Sequence, residues 1–325
     1  MHQDQFTELE KTIERDHSNI AGILVWQNRV NRYERYFHGY TGDDAFHVFS
    51  VTKSVFSALI GIAIEKGLIQ SVNQKVLDFF PDYKVKAGEK TIQGITLQHL
   101  LTMTAPFKYE TEPYAAFFAS DHWVYAALDL LGGGEYTGAF QYSPIIGAHI
   151  LSGVLARAAG QPILDFATEH LFAPLGISSL RNVLLETEEE HMAWYASEKK
   201  AKGWVVDPQG LNTASWGLTL TTEDMAKIGR LYLNGGTWGS KQVIPAKWVE
   251  ESTRAHAHWG ALSYGYLWWI LDGKARVYAA MGDGGNVIYI NTEKQLVVAI
   301  ASLFVPDARD RIELIAEEIE PLFPV

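Results

Sequence analysis

Strand-like patterns occur near both ends of this chain, and helical periodicity fills most of the interval between them. The segments IAGILVWQ (20–27) and NRYERYFHG (31–39) are β-branched and aromatic and are joined by a polar turn near Asn28. Four more such segments crowd the C-terminal end: YGYLWWIL (264–271), ARVYAAMG (275–282), NVIYIN (286–291) and LVVAIASL (296–303), separated by Gly, Asp and Asn turns. Between them TLQHLLTM, IGAHILSGVLARAAG, PILDFATEHLF and TEDMAKIGRLYLNGG repeat their apolar residues at helical spacing. Strands with a helical interval fit an α+β fold, in which an antiparallel sheet is built from both termini and a helical region is inserted between them. Residues 1–70 and 240–325 are expected to form a discontinuous sheet domain with flanking helices, and residues 71–239 a mostly helical domain. A chain of 325 residues is long enough for both.

The first twenty residues, MHQDQFTELEKTIERDHSNI, have the pattern of an amphipathic helix and lack the continuous apolar core of a signal peptide, so a cytoplasmic location is expected. No later stretch approaches the about 20 apolar residues of a membrane span. Lys+Arg number 27 against 38 Asp+Glu, and a net charge of -11 offers no footprint for nucleic acid or anionic membrane. The absence of cysteine removes disulfides, thiol nucleophiles and thiolate metal sites. There is no P-loop, Gly-x-Gly-x-x-Gly, His-Glu-x-x-His or Gly-x-Ser-x-Gly, so no cofactor or metal is expected. His256 and His258 have no third ligand nearby in sequence and are assigned to surface or packing. Glu110, Glu112 and Glu135 could lie in loops of the helical region near a cleft, with solvated surface as the default reading. The acidic run ETEEE (186–190) reads as a solvated loop.

Ser50 and Lys53 carry the chemistry. They stand at the start of a helix whose apolar residues Val55, Phe56, Leu59, Ile60, Ala63 and Ile64 predict burial along most of its length, with Gly67 as its stop. Residues three apart share a helix face, so the amine can reach the hydroxyl. A serine needs a base to become a nucleophile, and a lysine serves as one only when desolvation lowers it from about 10.4. The four-residue pattern alone is weak, because it should arise by chance about once in a chain of this size. Ser197 to Lys200 matches it in a polar stretch, and a helix-capping serine would also satisfy it. Context adds Tyr142, placed before a helix where its phenol could share a proton. It also adds the turn from Met281 to Asn286, whose glycines permit close approach to a strand edge.

With these residues in view, FSVTKS (49–54) resembles the nucleophile box of class C β-lactamases and related penicillin-recognising enzymes. TIQGITLQHLLTMTA (91–105), the passage from Ser215 to Thr253 and YGYLWWI (264–270) are similar to the wider β-lactamase-related hydrolases, so the resemblance runs from about residue 20 to the end. It implies an active site in a cleft between a sheet domain and a helical domain. Ser50 would be the acylated nucleophile, Lys53 its proton partner and Tyr142 the general base that later activates water. The third box, Lys-Thr-Gly or His-x-Gly in the family, would fall on Asp283-Gly284-Gly285. The backbone N–H groups of Asn286 and Ser50 would then form the oxyanion hole.

Two positions depart from that pattern. Pro144 stands where the second box carries asparagine, so an amide that holds the substrate carbonyl is missing. Asp283 stands where a cation would attract a substrate carboxylate, which argues against efficient penicillinase action and for an ester or small amide with a neutral or cationic group. Carboxylesterase, amidase of the 6-aminohexanoate-dimer hydrolase kind, weak β-lactamase and D-amino peptidase all remain open, as does a non-enzymatic ligand-binding or peptidoglycan-sensing protein that keeps the fold. The expected partner is a small-molecule ester or amide; oligomeric state has no sequence signal.

Overall fold

In the computed structural model, residues 2–136, 138–178, 180–196 and 201–324 are described. Ser197 and Lys200, the second match to the Ser-x-x-Lys pattern, lie outside them. The main sheet has eight antiparallel strands: β1 (Ile20–Gln27), β2 (Val30–Tyr36), β3 (Ala257–Trp259), β4 (Leu262–Tyr264), β5 (Trp269–Asp272), β6 (Val277–Gly282), β7 (Asn286–Asn291) and β8 (Leu296–Ser302). Their order across the sheet is β2-β1-β8-β7-β6-β5-β4-β3. The two ends of the chain meet at the β1–β8 pair, where Gln27 faces Leu296 and Ile20 faces Ser302. Asn28 and Arg29 both take left-handed φ, 51° and 66°, and so close the first hairpin in two residues.

The sheet is buried on both faces. In β8 the alternating Leu296, Val298 and Ile300 pack with Leu9 and Ile13 of α1 (His2–Asp16) and with Leu314, Ile315 and Ile319 near the C-terminus. Val297, Ala299 and Ala301 point the other way, into the larger core. Period-two burial on each face explains why β8 reads as one unbroken apolar run. The larger core also holds α2 (Val51–Glu65), buried from Val51 to Ala63, and α3 (Ile146–Ala159). Helix α4 (Thr222–Leu233) lies directly on the sheet: a Cβ on Gly229 would come within 2.5 Å of Val297 and 2.9 Å of Ile288. Among the described residues, no helix is long and apolar enough to cross a membrane.

Two sequence expectations are corrected. The segment 264–271 is not one strand; β4 ends at Tyr264 and β5 begins at Trp269. Tertiary bonds claim the residues between them: Tyr266 N–H donates to Ser252 O (2.9 Å), Leu267 N–H donates to Leu101 O (3.0 Å), and Leu267 O accepts from Ser54 Oγ (2.6 Å). That loop fixes the start of α2. The acidic run is solvated but its last three residues open a helix, Glu188–Ala196. Thr187 Oγ1 accepts from Glu190 N–H while Glu190 accepts from Thr187 N–H, a reciprocal cap already written in Thr-x-x-Glu.

Candidate active site

The backbone before α2 is bent to present one side chain. Phe49 has a φ of 48°, a left-handed conformation for a bulky residue that costs on the order of 1–3 kcal/mol. Ser50 follows at the helix N-cap, but its side chain makes no capping bond. Its Oγ instead accepts from Lys53 Nζ at 2.8 Å, so the capping role that the sequence allowed is not taken. Lys53 is buried, and its second acceptor is the carbonyl of Ser215 at 3.0 Å. A short sheet between Ala45–His47 and Thr219–Thr221 brings that carbonyl there, together with Val48 N–H donating to Leu218 O at 3.0 Å.

Burial lowers Lys53 to about 8, against the pull of the Asp283 and Glu112 carboxylates. Tyr142 comes from the loop before α3 and reaches Ser50, and the Lys53 ammonium lies 6.0 Å from its ring centre. Two-fifths of the Tyr142 surface is exposed. Burial and the Asp283 carboxylate push the phenol up to about 12, while contact with Ser50 works in the opposite direction. Ser50, Lys53, Tyr142 and Asp283 therefore share one electrostatic neighbourhood.

The third-box glycines do not. A Cβ on Gly282 would fall on Val48 O and lie 3.0 Å from Ser50 N, so β6 meets the candidate nucleophile at Gly282. A Cβ on Gly284 would instead meet Leu303 O at 2.7 Å, and one on Gly285 would meet Arg311 Nε at 2.8 Å. Asn286 is fully buried behind the turn, and its amide donates to Asp283 O (2.9 Å) and Ser302 O (3.3 Å) while accepting from Ser302 N–H (3.0 Å). The expected site residues Gly284, Gly285 and Asn286 thus support the turn from behind. The left-handed Gly284, φ 73°, reverses the chain after Asp283, which leaves Gly282 beside Ser50 and Asp283 exposed.

Pro144 is half-buried between Tyr142 and α3 and supplies no side-chain hydrogen bond. The order in its loop comes from Glu112, which was expected on the surface and is buried. Its carboxylate accepts from Ser143 Oγ (2.5 Å), Ile145 N–H (3.1 Å) and Ile146 N–H (2.8 Å), an anion at the N-terminus of α3. Glu110 and Glu135 are exposed. His256 bonds Glu251 O and stacks on Tyr266, and His258 bonds Ser263. Trp268 is core, whereas Trp259 and Trp269 stand beside the Tyr142 ring cluster.

An eight-stranded antiparallel sheet covered by helices on both faces, with Ser50 at the head of a buried helix beside one strand, defines the fold of the β-lactamases and penicillin-binding proteins. The Beta-lactamase family model matches residues 9–319, and the chain belongs to that family. The 6-aminohexanoate-dimer hydrolase of Paenarthrobacter ureafaciens is 23% identical over 311 residues, covering 88% of this chain and 74% of that protein. Among solved structures, EstCE1, a hydrolase with promiscuous acyltransferase activity, superposes with a TM-score of 0.71 at 14% identity, covering 99% of each chain. A penicillin binding protein from Bacillus halodurans gives 0.71 at 17% identity, covering 97% of this chain and 99% of that one.

Glu112→Leu should leave Ser143 Oγ and the Ile145 and Ile146 N–H groups without their acceptor and destabilise the fold by about 2–4 kcal/mol, read from chemical denaturation. A loss below about 0.5 kcal/mol would show that the carboxylate does not organise this loop.

Proposed function

We propose that this protein is a serine hydrolase that acts through an acyl-enzyme on an ester or amide. The observation that carries this reading is the 2.8 Å contact between Ser50 Oγ and a buried Lys53 whose amine is lowered to about 8. At that value a useful fraction of the amine is neutral near pH 7, and a neutral amine can accept the serine proton. Ser50 Oγ forms a bond to the substrate carbonyl carbon as its proton passes to Lys53. Negative charge then develops on the carbonyl oxygen. Among the described residues the Ser50 N–H has no acceptor, and it lies beside the Gly282–Asp283 backbone, a suitable place for that charge.

Collapse of the adduct breaks the bond to the alcohol or amine, which takes up the proton. Tyr142, pushed up to about 12, is a phenol at rest and so relays protons between Lys53 and the leaving group. Water then attacks the acyl carbon as its proton passes to Lys53; the Ser50 Oγ–carbon bond breaks, Oγ takes that proton back and the acid leaves. This assigns base strength to Lys53 and relay to Tyr142. Asp283, exposed at the cleft, disfavours carboxylated substrates, and Pro144 offers no amide to hold a β-lactam or peptide carbonyl.

A small fluorophosphonate should add one adduct to the wild type, seen by mass, and none to Ser50→Ala. An equal mass gain in both proteins, or none in either together with no ester hydrolysis, would favour a binding protein that keeps the fold.

In a panel of anionic, neutral and cationic esters, Asp283→Asn should raise the relative turnover of the anionic ester by about tenfold. Ratios are the readout, because Asp283 also raises Lys53 and its removal moves all absolute rates together. Unchanged ratios would remove Asp283 from substrate selection.

A further inference from the structure

Four aromatic rings, Trp259 and Tyr142 exposed and Trp269 and Phe140 half-buried, gather on one side of Ser50. Trp259 is 58% exposed on β3, the edge strand of the sheet. Its ring centre lies 5.8 Å from Trp269 and 6.2 Å from Phe140. Trp269 and Phe140 in turn lie 5.9 Å and 6.1 Å from Tyr142, the ring that reaches Ser50. An unbroken aromatic surface therefore runs from solvent to the candidate nucleophile.

The sheet braces the inner part of this surface. Tyr264 and Trp269 are direct partners across β4 and β5, and the buried Tyr264 supports Trp269 edge-on at 4.8 Å and Phe140 at 5.4 Å. The Trp259 backbone is held by its pairing with Leu262, and its ring lies against Trp269. Contiguous apolar surface that reaches solvent marks a place where an apolar group is received. Flat, preordered rings favour an aryl or extended alkyl group, which can stack without freezing protein side chains. Continuity with Tyr142 identifies the occupant as part of the molecule undergoing attack at Ser50.

We propose that Trp259, Trp269 and Phe140 form a subsite that binds an aryl or long alkyl arm of the substrate beside the scissile carbonyl. The assignment rests on the Ser50 nucleophile argued above and adds a substrate class to it: apolar-armed esters or amides in preference to acetyl-sized ones. Trp259 determines specificity and takes no part in bond making.

Two fluorophosphonates test this, one with an ethyl arm and one with a phenylbutyl arm. Each reacts by forming an Oγ–P bond at Ser50 and breaking the P–F bond; fluoride leaves, so the arm is the only difference between them. The second-order rate of adduct formation should be larger for the phenylbutyl reagent with the wild type. Trp259→Ala should cut that preference by about tenfold, the value expected for losing contact with most of an indole, and keep the ethyl rate within about twofold. Trp259→Phe should retain most of the preference. Trp259→Gln, with the melting temperature of each variant, separates subsite loss from misfolding.

An arm preference that is the same in the wild type and in Trp259→Ala would overturn the subsite while leaving the Ser50 reading intact. No adduct from either reagent with the wild type would overturn the nucleophile, and the subsite with it.

Discussion

The candidate active site depends on one buried contact, the Lys53 amine held between Ser50 Oγ and the Ser215 carbonyl. A charged ammonium is expensive in that setting, and burial answers by lowering its proton affinity. The surroundings keep the amine there. Helix α2 is apolar on nearly every face and sinks into the larger core, and the loop through Leu267 ties down Ser54 one residue after the lysine. The strained Phe49 aims Ser50 away from a capping role. The strain and the buried amine are both costs to folding, and they meet within five residues, Phe49 to Lys53.

Behind the cleft, a second polar cluster holds the turn that bears Asp283. Arg311 is buried with His17, Asn19 and the Arg309 carbonyl as partners. Asn19 also donates to Gly284 O and Leu303 O at 2.7 Å each. Burial beside this guanidinium lowers His17 to about 4, so the imidazole stays neutral and can accept from Arg311 near neutral pH. Together with Asn286, this network fixes the reversal at Gly284 from the side opposite Ser50. The sheet thus delivers Gly282 to Ser50 through its ladder and Asp283 through its turn.

Much of this was legible in the sequence, for physical reasons. Period-two and period-3.6 patterns report burial directly, which is why the sheet from both termini and the buried α2 could be read. Ser50 and Lys53 are local, three residues apart on one helix, and their separation follows from helix geometry. Tyr142 was reachable because it precedes a helix start. Contacts decided by long-range close approach were not legible. Gly282, Gly284 and Gly285 are equivalent letters in a turn, and only the packing of Val48, Leu303 and Arg311 against them tells which one faces Ser50. Glu112 read as a surface acid because nothing near it in sequence shows the exposed N–H groups of α3 that it satisfies. The meeting of Trp259 and Trp269 beside Phe140 was equally illegible, because it needs strand pairing across β3, β4 and β5.

The most direct test of the central claim is the pH dependence of Ser50 modification by the ethyl fluorophosphonate, a neutral reagent that isolates the state of the base. Lys53 must lose its proton to accept one from Ser50, so the rate should rise with pH through a midpoint near 8 and then level off. A rate flat from about pH 6 to pH 10, or a rise centred near the ordinary lysine value of about 10.4, would contradict a desolvated Lys53 as the base.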